Sequence, residues 1–311
     1  MSWPSFVAEL PVDDAAGESL RLILTEQLDE LRELAVLAAR HSAEDPEHVH
    51  QLRVGARRAA ATLAASAGFL GPKREQRLAR GLQRLRSLAG VARNLDVALA
   101  QVLELPTDSI SPRLRLRLVH ATALERGAAQ VELAAGLGRL RRKHRFQTWH
   151  ADLSRLAWRG AGDEPTWGEL ARLRLAGAVE TIAAAGEPWP VTARTLHSLR
   201  IAVKHARYQL ELFQSAWAPQ IGEWLELLRR LQDDLGVWHD LRTRLALWRT
   251  WLEMPWAPSV AEELGELVDR WDDEEPALRE SLAERWSGGE LAGLIDGLRP
   301  LIAADDSPET N

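Results

Sequence analysis

The sequence predicts an all-α protein of two helical bundles related by internal duplication. Apolar residues recur at helical spacing along most of the 311 residues, and no alternating strand pattern competes with them. Proline and glycine fall between the helical segments. One stretch of the chain occurs twice, which indicates two similar halves. We therefore expect two helical bundles related by an approximate two-fold, an arrangement in which their basic stripes face one another.

The composition is that of a folded, water-soluble protein. Hydrophobic residues make up 46% and charged residues 27% of the chain, which excludes wholesale disorder. Cysteine is absent, so disulfides and thiolate metal sites are excluded. The N-terminus has no secretory pattern, and no apolar run reaches 18 residues. These features predict a cytoplasmic protein that does not enter a membrane, and nothing in the sequence indicates a cofactor.

The first predicted helix covers residues 18–42 and has an acidic outer face. Its apolar positions follow helical spacing: Leu20, Ile23, Leu24, Leu28, Leu31, Leu34, Ala35 and Ala38. Asp45 followed by Pro46 predicts the start of a second helix, which we expect over about 46–69. Gly71 and Pro72 then interrupt the chain before a third helix.

The third helix carries a basic stripe beside an apolar one. The stripe consists of Lys73, Arg77, Arg80 and Arg84, which lie within an arc of about 60° on a helix. Leucines occupy the adjacent arc, so one flank is expected to pack and the other to bind or face solvent. The alternative is a merely solvated face, although acidic partners four residues away are missing.

The remaining elements follow from breaks at proline and glycine. We expect a separate short helix ending near residue 104, a loop in which Ser111 caps the helix beginning at Pro112, and helical structure to about 158. Further helices are predicted at 167–186, 192–217, 219–235, 238–253, 259–273 and 276–303. The predicted organisation is an extension (1–17), a first half (18–158), a linker (159–166), a second half (167–303) and a tail (304–311).

The duplicated stretch is VHQLRVGARRAAATL at 49–63 and LHSLRIAVKHARYQL at 196–210. Its alignment pairs His50 with His197, Arg53 with Arg200, Arg57 with Lys204 and Arg58 with His205. Positions i, i+3 and i+7 share one face of a helix, so each copy carries a cationic stripe. Like charges on one face repel, and an anionic ligand is their natural complement.

A second pair of segments extends the repeat. LRSLAGVARNLDVAL at 85–99 matches LQDDLGVWHDLRTRL at 231–245, with Gly90 on Gly236, Arg93 on His239 and Asn94 on Asp240. Both blocks repeat at nearly the same offset, which predicts that the two halves superimpose. Each glycine is expected to lie in a turn that follows a helix.

Charge is segregated along the chain, although the net charge is only -6. Residues 53–93 hold ten basic side chains and one acid, a local net charge of +9. Residues 253–311 hold sixteen acids and four arginines. The overall acidity therefore does not exclude an anionic ligand.

These motifs resemble the CHAD family, the conserved histidine α-helical domain, over about residues 18–303. The resemblance implies a stand-alone domain of two four-helix-type bundles, with pseudo-two-fold symmetry around a basic central channel that binds inorganic polyphosphate. Granule association, polyphosphate sensing and protein partners on granules are roles that the sequence leaves open. The residues that the resemblance implies are His50, Arg53, Arg57, Arg58, Arg93, His197, Arg200, Lys204, Arg207 and Tyr208, to which the Lys73–Arg84 stripe adds four.

The chain departs from the family pattern at two positions. Ala60 stands where the first motif usually carries a further cation, and Asn94 stands where an aspartate is usual. Asp96 is the nearby candidate to replace that carboxylate. The sequence does not decide what these departures do to affinity.

Two other function classes compete with polyphosphate binding. A nucleic-acid-binding protein, with RNA as the alternative ligand, would also use basic helices, but the stripes lack interleaved aromatic residues. A metal-binding protein or phosphohydrolase is suggested by the His- and acid-rich segment 41–50. His48 and His50 point to opposite sides of a helix, however, and no phosphohydrolase motif occurs. We therefore expect neither a metal site nor catalytic residues.

Overall fold

The fold was examined in a computed structural model, which describes residues 5–106, 109–190, 192–217, 221–254 and 256–303. These residues form ten α-helices and three short 3-10 segments, and no strand longer than a single bridge occurs among them. The all-α prediction is confirmed. The predicted tail (304–311) lies outside the described residues, as do residues 1–4 of the predicted extension, Pro219 and Pro255.

Five α-helices form the described part of the chain up to Leu153. They are α1 (Ala16–His41), α2 (Glu47–Ala65), α3 (Pro72–Glu104), α4 (Pro112–Arg142) and α5 (Arg145–Leu153). Helix α3 packs against α2 on one side and α4 on another. Helix α3 therefore contributes side chains to both of these interfaces and also carries the basic stripe.

The other five helices follow in a similar order of lengths. They are α6 (Trp167–Gly186), α7 (Ala193–Leu212), α8 (Gly222–Leu252), α9 (Ala261–Trp286) and α10 (Glu290–Leu298). Helix α6 packs against α7 and α10. In both sets the duplicated basic stretch forms the second helix, while superposition of the two halves remains a prediction.

Two compact units divide the chain, mainly at Asp163–Glu164. The first unit contains Gly17–Asp163 and Trp251–Glu266. The second contains Ser5–Ala16, Glu164–Thr250 and the chain from Leu267 onward. Each unit thus includes a segment that is distant in sequence from its main body.

In each unit, hydrogen bonds hold the segment that is distant in sequence to the main body of that unit. In the first, the Ser111 hydroxyl donates to Glu263 (2.6 Å) and the Trp251 indole donates to Glu125 (3.0 Å). In the second, the backbone N–H of Trp167 donates to the carbonyl of Asp14 (2.7 Å). The Ser111 oxygen also accepts from Leu114 N–H, which confirms the predicted cap of α4.

The apolar face predicted for α1 is buried. Its leucine, isoleucine and alanine positions are in the core, except Leu34, which is half-buried. Burial of each leucine or isoleucine among them contributes about 1.5–3 kcal/mol. Trp149, Trp167 and Trp238 are also almost fully buried.

The predicted glycine turns were wrong. Gly90 lies inside α3 and Gly236 inside α8, so each repeat block is part of one long helix. The separate short helix predicted to end near residue 104 is the end of α3. Glycine costs a helix only about 1 kcal/mol relative to alanine, and the leucines on both sides of each glycine continue the packed face.

Other helix boundaries also differ from the predicted ones. The region predicted as continuous to residue 158 breaks at His144, whose φ of 48° is left-handed and ends α4. Helix α9 continues through Pro276, which the sequence predicts as a boundary. Helix α2 begins one residue late, and Asp45 accepts a hydrogen bond from the N–H of Glu47 (2.8 Å).

Candidate functional site

The first unit brings the α2 cations of the repeat against the end of α3. The Nε of Arg53 lies 3.9 Å from the place where a Cβ on Gly90 would be, so the missing side chain leaves room for the guanidinium. Partial burial, followed by the charges of Arg93, Arg57 and Arg53, lowers the pKa of His50, while Glu47 opposes this. These effects place four sequence-predicted residues in one cluster: His50, Arg53, Arg57 and Arg93.

A groove of about 650 Å³ continues from this cluster along the same two helices. Its α2 side is formed by Ala60, Leu63 and Ala64. Its α3 side is formed by Glu75, Ala79, Arg80, Gln83, Arg84, Arg86 and Ser87. On α2, residues 50, 53, 57, 60 and 64 form one helical stripe about 80° wide, and residues 93, 90, 86, 83 and 79 do the same on α3. The cluster and the groove therefore lie on one α2–α3 surface.

Arg86 is a site residue that the sequence analysis did not select. It lines the groove together with Ala60, the position at which the family's usual cation is missing. The α3 spacing 79, 83, 86, 90 and 93 contains the signal, because it places Arg86 on the stripe of Arg93. A cation from α3 thus borders the part of the groove where α2 has none.

Arg58 is not directed into this cluster. Its charge acts on Glu30 of α1. Burial raises the pKa of the Glu30 carboxyl, and the positive charge of Arg58 partly opposes that rise. Adjacent residues on a helix point about 100° apart, so Arg57 and Arg58 face different neighbours. The Arg57 Nε is buried and has no hydrogen-bond partner among the described residues.

The predicted α3 stripe is exposed at Lys73, Arg77, Arg80 and Arg84. Arg77 nevertheless has an internal partner, because its Nε and Nη2 each donate a hydrogen bond of 2.8 Å to Asp152 of α5. No ion pair is found within the described residues for Lys73, Arg80 or Arg84. The stripe therefore combines a structural cation with open ones.

Asp96 does not join the basic cluster. It is buried and accepts a hydrogen bond of 2.5 Å from Arg126 of α4, which also donates to the carbonyl of Ser42. Asp96 therefore stabilises the α3–α4 interface. It does not replace the carboxylate that Asn94 lacks, because Asn94 is exposed on another face of α3.

The second unit brings together the two residues that align with His50 and Arg93 of the first. The ring of His197 on α7 lies 5.4 Å from the ring of His239 on α8, centroid to centroid. The sequence alignment pairs these residues with His50 and Arg93, which act on each other in the first unit. On α7, His197 is exposed, and Arg200 and Lys204 are half-buried.

Arg207 and Tyr208 have internal partners within the second unit. The Arg207 Nε donates to Gln232 at 2.8 Å, and its Nη1 donates to Glu211, which is buried. The Arg207 guanidinium also stacks over the Tyr208 ring at 4.6 Å, and Tyr208 itself is only 7% exposed. These contacts hold α7 and α8 together within the second unit.

Two observations bear on metal binding and on membrane insertion. Within the described ranges, no group of three or more His, Asp or Glu side chains is arranged to hold a metal ion. None of the described helices is long and apolar enough to cross a bilayer. What the α2–α3 surface offers is a row of guanidinium groups, which bind phosphate or carboxylate oxygens in a planar, two-pronged geometry.

Comparison with known proteins gives a consistent result. The sequence profile of the CHAD domain matches residues 22–249. The chain is similar in fold to the CHAD domain from the plant Ricinus communis, with 22% identity, a TM-score of 0.64 and 93% of each chain covered. It is also similar to PptA from Streptomyces chartreusis, with 19% identity, a TM-score of 0.65, and 88% of this chain and 99% of the other covered. Comparison with curated protein sequences gives no match.

Proposed function

The chain belongs to the CHAD domain family, and we propose that it binds inorganic polyphosphate along the basic α2–α3 surface of its first unit. One observation carries the proposal: the cluster of His50, Arg53, Arg57 and Arg93 opens into a groove bordered by Arg80, Arg84 and Arg86. A row of cations along two helices matches a linear ligand that carries charge along its whole length. The α7 stripe of His197, Arg200 and Lys204 is proposed as a second contact for the same ligand class.

The physical basis is charge-assisted hydrogen bonding. Each arginine offers a planar fork of donors and stays charged at neutral pH, and each phosphate neutralised by the protein releases counterions. Glu75 is the single acid lining the groove, so the charge there is strongly positive. A polyanion also relieves the repulsion among the clustered cations, which no single small anion does along the whole surface.

The groove favours polyphosphate over nucleic acid. Single-stranded nucleic acids gain about 1–3 kcal/mol for each base that stacks on an aromatic side chain. The residues that line this groove include none that is aromatic. Polyphosphate has no bases, so the lack of aromatic residues does not weaken its binding. An RNA strand would bind here without the free energy of base stacking.

We propose binding without catalysis, because the α2–α3 surface presents arginines and small side chains and no paired carboxylates. This surface suits retention or sensing of polyphosphate in the cytoplasm, including attachment to polyphosphate granules. Incubation of the protein with long-chain polyphosphate tests whether binding occurs without catalysis. The length of the polyphosphate should stay unchanged on a gel, and release of orthophosphate would contradict the proposal.

The binding test is a titration of the full chain with long-chain polyphosphate, tRNA and duplex DNA at several salt concentrations. We expect preference for polyphosphate at physiological salt and a steep loss of affinity as salt rises. The variant Arg53→Glu/Arg57→Glu should lose most of the affinity, and Arg200→Glu/Lys204→Glu tests the α7 stripe. Circular dichroism checks that each variant is folded.

The matched control is Arg117→Glu, which reverses an exposed charge on α4 outside the groove. Its affinity should stay close to that of the unaltered protein. Equal, small losses in all variants would indicate a diffuse basic surface, and preference for tRNA would assign the surface to nucleic acid.

A further inference from the structure

A second basic cavity lies on the other flank of α3. It has a volume of about 360 Å³ and is enclosed by α3, the end of α4 and the start of α5. The residues that line it are Lys73, Gln76, Arg77, Arg80, Gly81, Arg84, Leu140, Arg145 and Trp149. Five of these nine side chains are cationic. We refer to this cavity as the α3–α5 cleft.

We propose that the α3–α5 cleft is a second polyanion site, and that one polyphosphate chain passes from the α2–α3 groove over Arg80 and Arg84 into it. This inference rests on the proposed function and adds a path for the ligand. It predicts that chains long enough to occupy both cavities bind more tightly than short ones, because the second contact is then intramolecular.

The floor of the cleft is built by one close helix approach. Trp149 of α5 is only 1% exposed, and its indole packs beneath α3 where Gly81 has no side chain. A Cβ at Gly81 would lie 2.2 Å from the Trp149 ring, which no real contact permits. The cleft is therefore a fixed depression with a rigid aromatic base, and its open side is formed by flexible cationic side chains.

Most of the charge in the cleft is available to a ligand. The side chains of Lys73, Arg80, Arg84 and Arg145 form no ion pair or hydrogen bond among the described residues. Arg77 donates two hydrogen bonds to Asp152, and Arg74 lies 3.7 Å from the same carboxylate. One carboxylate therefore serves two arginines, and no acid is among the lining residues.

Arg80 and Arg84 connect the two cavities, because both residues line the groove as well as the cleft. They lie one turn apart on the crest of α3, about 6 Å along the helix axis. Guanidinium groups reach several ångströms to either side of a helix, so a flexible anionic chain crossing α3 there stays in contact with cations throughout. Such a crossing needs no movement of the backbone.

The shape of the cleft also selects among polyanions. Its single aromatic residue, Trp149, is buried and presents no face on which a base can stack. A duplex is too wide to follow a path that bends over one helix. The ligand class that fits is a narrow, flexible chain of phosphates.

The test separates the cleft from the groove by substitution. Lys73→Glu/Arg145→Glu changes cleft residues that do not line the groove, and Arg53→Glu/Arg57→Glu changes only the groove side. Each is titrated with tripolyphosphate and with long-chain polyphosphate by calorimetry. We expect the cleft variant to lose about tenfold or more in affinity for the long chain and to approach the affinity for the short one.

Three outcomes are distinguishable. If the cleft variant binds long chains as tightly as the unaltered protein while the groove variant does not, the α3–α5 cleft is not a polyanion site. Polyphosphate binding by the α2–α3 surface is then still supported. If the unaltered protein binds neither ligand, both proposals fail. Lys73→Gln/Arg145→Gln, which adds no negative charge, guards against misfolding, and hydrogen exchange should show protection of Arg145–Leu153 by the long chain only.

Discussion

Arg77 holds the carboxylate of Asp152 through two hydrogen bonds of 2.8 Å, although 75 residues separate them in the sequence. Arg77 belongs to the exposed α3 stripe, whereas Asp152 is buried at the end of α5. The pair fastens α5 to α3 and so sets the position of Trp149 beneath the cleft. One cation of the stripe thus stabilises the surface on which the others act.

Removing this carboxylate is expected to change stability and affinity in opposite directions. Asp152→Asn leaves Arg77 without its ionic partner and should lower the free energy of unfolding by about 1–3 kcal/mol. It also removes a negative charge that is bound to Arg77 of the cleft, so long-chain polyphosphate should bind more tightly. Urea unfolding and calorimetry measure the two effects. Asp163→Asn, an exposed site with the same change of charge, should show neither, and parallel losses in Asp152→Asn would refute the prediction.

Two glycines of the first unit should respond with opposite signs to alanine. Gly81→Ala places a methyl group 2.2 Å from the Trp149 ring, and the resulting displacement should cost about 1–3 kcal/mol. Gly127, in the middle of α4, has no atom within 4 Å of its Cβ position, so alanine should stabilise the helix by up to about 1 kcal/mol. Thermal unfolding of the two variants decides this, and stabilisation by both would mean that α5 does not pack closely against α3.

His50 should make both stability and binding depend on pH. Burial, with Arg93, Arg57 and Arg53, lowers its pKa, so the unfolded chain binds a proton more readily than the folded one. The contribution of His50 to stability is therefore complete above about pH 6.5, the unfolded value, and is lost as pH falls toward the folded pKa. His50→Gln should flatten this part of the stability curve. If the curve keeps its slope in His50→Gln, another group is responsible.

A bound polyanion should act on the same histidine. Phosphate near Arg53 and Arg57 offsets the cationic charge that lowers the pKa of His50, so binding should take up protons. Affinity for polyphosphate is then expected to rise from pH 7.5 to 5.5 more in the unaltered protein than in His50→Gln. Calorimetry in buffers of different ionisation enthalpy measures the proton uptake directly, and equal uptake by both proteins would contradict this expectation.

Arg207 should affect stability more than ligand binding. Arg207→Gln removes its hydrogen bonds to Gln232 and Glu211 and should cost about 1–3 kcal/mol, since Glu211 remains buried. Arg194→Gln, at an exposed position of the same helix, should leave unfolding unchanged. Polyphosphate affinity, measured where both variants are folded, should be equal. A selective loss of affinity in Arg207→Gln would return Arg207 to the binding surface.

The sequence by itself determined the fold class and the cationic face of each repeated helix. Both depend on spacing along one helix, and geometry within a helix follows directly from residue numbers. The grouping of His50, Arg53 and Arg57 needed nothing more. Helix continuity through Gly90 was missed, because packing on both sides outweighs the small local cost of glycine.

Only the tertiary structure decided which cations are open and which have internal partners. Arg58 acts on α1, Arg77 binds Asp152, and Arg207 binds Glu211, while Arg80 and Arg84 line the groove. Helix periodicity states the direction of a side chain but not the neighbour it meets. That neighbour depends on how helices distant in sequence pack, and for an arginine the packing decides between a buried carboxylate and a ligand.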